Sequence, residues 1–168
     1  MSILKVDTIN EKTSGNGVAI DGHVIQTEIN HYSGAFFSTT STSFTNVVSV
    51  NITPKFSNSK ILITTGAVLY KNNNADGSTG AGFFVVQRDN SALANSTTWF
   101  EQNSSTRHWS VYTSGNAAYH IYPHFWQMYD EPSTTSQVTY QFKIAAVTSG
   151  NSFGCYRGAS IKVEELKQ

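Results

Sequence analysis

Apolar and polar positions alternate with a period of two along most of this chain, and no helical period or heptad survives anywhere. Residues 137–146 alternate most cleanly, with Val138, Tyr140, Phe142 and Ile144 on one face and Thr139, Gln141 and Lys143 on the other. Residues 159–166 place Ala159, Ile161 and Val163 together, and residues 44–52 do the same with Phe44, Val48, Val50 and Ile52. Residues 60–70 are apolar on both faces (Ile61, Ile63, Ala67 and Leu69 against Leu62 and Val68), the pattern of a central strand. Shorter runs follow at 83–88, 99–100 and 109–112. Residues 119–129 are unusually aromatic, with Tyr119, Ile121, Phe125 and Tyr129 on one face and His120, Tyr122, His124 and Trp126 on the other. Pro123 inside that run has no N–H to give to a ladder, so its strand is expected at a sheet edge or at a bulge. Such strands each bury one face between two layers. The pattern therefore predicts an all-β fold, an antiparallel β-sandwich of jelly-roll type, over residues 28–168.

Residues 1–27 read differently. Two strand-like stretches, 3–9 and 18–25, flank turn chemistry at Thr13-Ser14-Gly15-Asn16-Gly17. A lone two-stranded hairpin is marginal in water, so this segment needs partners. Those partners are its own sandwich or, the favoured expectation, other chains; in a trimer about a three-fold axis Val18, Ile20 and Val24 would bury against their copies.

Composition sharpens the picture. Hydrophobic residues make up 39% of the chain and charged residues only 13%, the polar remainder being mostly Ser, Thr, Asn and Gly. This depletes helix formers and enriches β-branched, aromatic and turn residues. Eleven basic and eleven acidic residues cancel with no like-charge run, so neither a nucleic-acid footprint nor a basic membrane-binding face is present. No apolar stretch approaches the roughly 20 residues of a membrane span, and no targeting signal opens the chain, so a soluble product without membrane insertion is expected. A single cysteine, Cys155, excludes an intrachain disulfide and a cysteine-based zinc site.

Three stretches resemble the short tail-fibre-like structural proteins common among marine and cyanobacterial bacteriophages. They are Leu4-Lys5-Val6-Asp7-Thr8-Ile9 with the turn and Val18-Ala19-Ile20-Asp21-Gly22 that follow, residues 52–63 (Ile52-Thr53-Pro54-Lys55-Phe56-Ser57-Asn58-Ser59-Lys60-Ile61-Leu62-Ile63), and the weaker residues 161–166. The resemblance implies a virion structural protein assembled in the host cytoplasm. It further implies a homotrimer docked to other tail proteins through its first segment, with a globular β domain at a fibre's body or tip. The chain lacks a long repetitive shaft. An adaptor or decoration protein without host contact, and a depolymerase acting on host polysaccharide, are the alternative readings.

Candidate chemistry is thin, and no catalytic residue, metal site or cofactor is expected. His120 and His124 in one strand would stand about 13 Å apart, too far to share a metal ion. His23 reads as a turn histidine, and Asp76 is the only carboxylate in the glycine-containing loop 72–80, too few for calcium. Ser110 and Ser114 near His108 lack a nucleophile elbow, and Cys155 reads as a small buried hydrophobe. The aromatics Trp99, Trp109, Tyr112, Tyr122 and Trp126 lie in polar surroundings and are the candidates for stacking on a host glycan, unless they fill the core or a subunit interface. Loops 72–80, 101–106, 113–117 and 130–136 are expected to face the host or a neighbouring protein.

Overall fold

The computed structural model describes residues 22–71, 82–93, 120–146, 149 and 152–168, with Lys71, Ala92 and residues 120–122 described through their backbone only. Every regular element in this range is a β-strand: β1 (Val24–His31), β2 (Phe36–Thr39), β3 (Thr45–Ile52), β4 (Lys60–Lys71), β5 (Gly82–Arg88), β6 (Ser91–Ala92), β7 (His120–Asp130), β8 (Val138–Ala146), β9 (Phe153–Tyr156) and β10 (Ser160–Leu166). All pairings are antiparallel.

The larger sheet is built around β4. Along one edge β4 pairs β7 from Ile61 opposite Asp130 to Lys71 opposite His120. Along the other edge it takes β10 with residues 60–66 and β9 with residues 69–71, so β9 and β10 run end to end. Gly158, at φ 90°, sits in the break between them, where only glycine is unstrained. β1 and β2 break at the same level, pairing β10 and β9 respectively. Across the gap the amide of Tyr32 donates to the Ala159 carbonyl at 2.7 Å, and that of Arg157 to the Ala35 carbonyl at 3.1 Å. The sheet order is thus β1/β2, β10/β9, β4, β7. The smaller sheet runs β3-β8-β5-β6.

Counting each end-to-end pair once gives eight strands in chain order, arranged 1-8-3-6 in one sheet and 2-7-4-5 in the other. That is the jelly-roll order, the type of sandwich expected from the sequence, although alternation does not give strand order. The core lies between the sheets: Ile61, Ile63, Ala67, Leu69, Ile161, Val163, Cys155 and Phe153 from the larger, and Val48, Val50, Ile52, Phe84, Val86, Tyr140, Phe142 and Ile144 from the smaller. Among the described residues β7 lies at the edge of its sheet and carries Pro123 without a bulge, the first of the two placements expected for that proline.

One expectation needs correcting. Phe44 is exposed and precedes β3 rather than joining its inward face. A bulge between Asn46 and Val48 inserts Val47, and one extra residue turns everything before it to the opposite face.

The register also gives the sandwich two distinct ends. Gly22 and His23 bond to Lys167 at one end, beside the connections 53–59, 89–90 and 131–137. Lys71, Gly82, His120, Ala146 and Phe153, the strand ends bounding the chain outside the described residues, meet at the other. The connection 131–137 therefore lies at the end opposite to Lys71 and Gly82, because antiparallel pairing returns β7 to the entry end, and loop 72–80 lies outside the described residues.

Candidate functional site

Among the described residues three charged side chains are buried, and each is held inside the fold. Glu165 continues the inward face of Ile161 and Val163 and is fully buried. Its Oε1 accepts from the amides of Lys55 at 2.8 Å and Phe56 at 3.2 Å and from the Ser59 hydroxyl at 2.6 Å. Gln26 Nε2 donates to Oε2 at 2.5 Å and also to the Thr53 carbonyl at 2.7 Å. One carboxylate thus ties the connection from β3 to β4 onto β10 and β1. Lys167 lies 4.3 Å over the Phe56 ring and bonds Asn58, closing the same end from outside. Residues 60–63 pair directly with residues 163–166, so the clasp closes on the β4–β10 pairing.

Asp130, at the end of β7, accepts from Arg88 Nη1 at 2.7 Å and from the Tyr140 hydroxyl at 2.6 Å, linking the two sheets. Burial, then the hydrogen bond and charge of Asp130, raise the Tyr140 phenol well above its ordinary range, so it remains a neutral donor. Lys143 faces away from the inter-sheet core yet is buried, donating to Asn90 Oδ1 at 2.7 Å. Asn90 and Asp89 form the two-residue turn between β5 and β6, both with positive φ, as the twist of a tight hairpin requires. Asp89 Oδ1 takes the Thr139 amide at 2.8 Å.

His124 points inward between the sheets. Its ring lies 4.1 Å from that of Phe84 and stacks on Phe142 at an interplanar angle of 10°. Burial lowers its pKa below the ordinary histidine value. Its Nε2 is buried without a hydrogen-bond partner among the described residues, as is Thr65 Oγ1. Cys155 is buried, and burial pushes its thiol up to about 11, which keeps it protonated and unreactive. Among the described residues no group of three or more His, Cys, Asp or Glu converges on a metal position, and no helix is long and apolar enough to cross a membrane.

The outward face of the larger sheet is a different kind of surface. Register sets three rows across it: Tyr129, Leu62, Glu164 and Thr27; then Gln127, Thr64, Lys162 and Ile29; then Phe125, Gly66, Ser160 and His31. Phe125 is 69% and Ile29 62% exposed. Gln127 Nε2 donates to Thr64 Oγ1 at 3.1 Å, and Lys162 pairs Glu164 at 2.8 Å. Farther along, Phe36, Tyr70 and Tyr156 pack edge to face and tilted, with centroids 4.9 to 5.6 Å apart.

Of the aromatics singled out from the sequence, Trp126 points inward on β7, half-buried against the core and edge-on to Phe84. Tyr122 is placed by its backbone alone, opposite Leu69. Trp99, Trp109 and Tyr112 lie outside the described residues, as do Val18, Ile20 and Asp76. Val24 begins β1 opposite Leu166 and is partly exposed. Sequence reasoning missed Glu165 and Gln26 as anchors. The signal was present: Glu165 falls in phase with Ile161 and Val163, and a charge on an inward face demands a partner.

No family model matches this chain, and no curated protein matches it. Among solved structures it is similar to one described as the structure of infectious bursal disease virus Gt strain. That likeness takes in 98% of this chain at 10% sequence identity, with a TM-score of 0.38. The chain spans 43% of the length of that one, and a likeness this distant carries no argument about function.

Proposed function

We propose that this chain is a non-enzymatic structural protein of a bacteriophage virion, a tail-fibre-type appendage that assembles as a homotrimer and contributes to host attachment. The observation that carries the reading is the polarity of the sandwich. Residues 1–21 join the β domain at Gly22, where Lys167 and the connection 53–59 are clasped. The strand ends at Lys71, Gly82, His120, Ala146 and Phe153 meet at the opposite end. A module docked by its first segment would therefore hold those connections away from the docking point, where binding loops are useful.

Two further points support this reading. Two of the three stretches that resemble tail-fibre-like proteins meet in the fold, residues 60–63 pairing with residues 163–166. The buried charges Asp130, Lys143 and Glu165 are each engaged in holding strands together. Fold alone does not fix function, since jelly rolls serve many roles. Virion placement and host contact are tested together by mass spectrometry of purified particles and by binding of the fluorescently labelled chain to host cells. Presence in particles with saturable binding is the expected result. Presence in particles without cell binding would make the chain an adaptor or decoration protein. Release of reducing ends from host polysaccharide by the pure protein would make it a depolymerase.

A further inference from the structure

We propose that the outward face of the larger sheet is the surface by which copies of this chain pack against one another. Among the described residues, seven large hydrophobic side chains are left exposed, and six lie on this face: Val24, Ile29, Phe36, Val68, Phe125 and Tyr129. The seventh is Phe44. The distribution follows from the fold, because β4 is apolar on both faces and only one of them is used by the inter-sheet core. Apolar side chains gathered on one flat face mark an interaction surface, whereas single scattered ones do not.

Size and charge favour a second copy as the occupant. The twelve residues of β4 extend the face roughly 37 Å, and four strand widths span about 19 Å. Their product, about 700 Å², approaches the ~800 Å² that each partner contributes to a standard interface. Its two lysines are each paired with a glutamate, Lys162 with Glu164 at 2.8 Å and Lys60 with Glu131 at 3.3 Å, so the face attracts neither a basic nor an acidic partner. Its Gln127 and Thr64 are likewise bonded to each other, and the pair can be covered without stranding that donor. With a formal charge of zero, copies meet no net repulsion. The face runs parallel to the strands, so cyclic packing through it leaves both ends of every copy open and all copies pointing one way. The inference rests on the oligomeric appendage proposed above and names its interface.

The test compares the full chain with Phe125→Glu and Ile29→Glu, which lie on opposite edges of the face, and with Ser57→Glu on the exposed entry-end connection as control. Sedimentation velocity gives the mass, and circular dichroism melting confirms that each variant folds. The expected result is an oligomer that each face variant weakens at least about 30-fold in dissociation constant, as loss of an anchor does, with the control unchanged. A wild-type monomer of 18.4 kDa would overturn the proposal. So would an oligomer that survives both face variants but is lost when residues 1–21 are removed, since assembly would then reside in that segment. A monomer whose binding to host polysaccharide is abolished by Phe125→Glu would reassign the face to a glycan. Recovery of the chain in virions is unaffected by any of these results, so failure of the interface is separable from failure of the virion reading.

Discussion

At the scale of single residues, the polar groups decide most. Glu165 has no solvent to fall back on: its two oxygens are committed to two backbone amides, one hydroxyl and one side-chain amide. Replacing it by Gln leaves the shape but puts an NH₂ among donors. Glu165→Gln is therefore expected to destabilise the protein by about 2–4 kcal/mol in urea unfolding, because buried donors lose a charged acceptor. Glu164→Gln, one position along on the outward face, should cost about 0–1 kcal/mol, the range of an exposed ion pair. Equal effects at the two positions would refute the clasp. His124 gives a pH signature. Its pKa is lowered in the folded state, so the fold holds the neutral ring and the unfolded chain binds the proton more readily. Its contribution is intact above the unfolded value near ~6.5 and is lost as pH falls through and below that value. Unfolding curves measured across this range should lose part of their slope in His124→Leu. An unchanged slope would show that the ring is solvated.

Elements depend on a few close approaches. β2 and β9 pair through only four register positions, and Gly154 lies where their backbones nearly touch. A Cβ at that position would meet the Phe37 carbonyl oxygen at 2.3 Å, an atom that cannot swing aside as a side chain can. Gly154→Ala should therefore part β2 from β9 and lower stability by at least about 2 kcal/mol, measured by thermal melting. A neutral result would mean that the pair flexes. Gly82→Ala is no milder, because its Cβ would fall 1.9 Å from Cγ of the buried Phe153, an atom that ring rotation leaves in place. Polar side chains also close the open margin between the sheets. Gln26 and Asn30 of β1 reach across to the carbonyls of Thr53 and Ser49, so backbone acceptors along β3 are satisfied without a further strand.

For the whole molecule, the placement of β1 changes how the first segment is separated from the rest. The strand runs across residue 27, and Gly22 and His23 already bond to Lys167. Cutting after residue 27 would remove half of β1 and expose the edge of β10, whereas cutting after residue 21 leaves the described sandwich intact. A chain starting at Gly22 should melt cooperatively within a few degrees of the full chain. A chain starting at Glu28 should melt at least about 5 °C lower, in keeping with loss of edge pairing worth ~2 kcal/mol. Coincident melting of all three would show that β1 contributes nothing to the fold.

Much of the architecture was legible because it is local. Alternation gave the inward faces of β8 and β10, and the missing N–H of Pro123 left β7 an edge or a bulge, of which the register shows the edge among the described residues. Cys155 beside apolar neighbours read as buried, and it is. The candidate site was less legible. Trp126 packs on the core from the edge of its sheet, a position that its polar sequence neighbours do not reveal. Tertiary structure alone decided which strands pair, that Phe44 is turned out by a bulge, and that one face of β4 meets solvent while the other meets the core. It also decided that Ser59 and Glu165, 106 residues apart, share a hydrogen bond. Period-two alternation says which side of a strand is apolar, because it is set by successive Cβ directions. It does not say what stands opposite, because a strand's partners are chosen by long-range register rather than by its own residues.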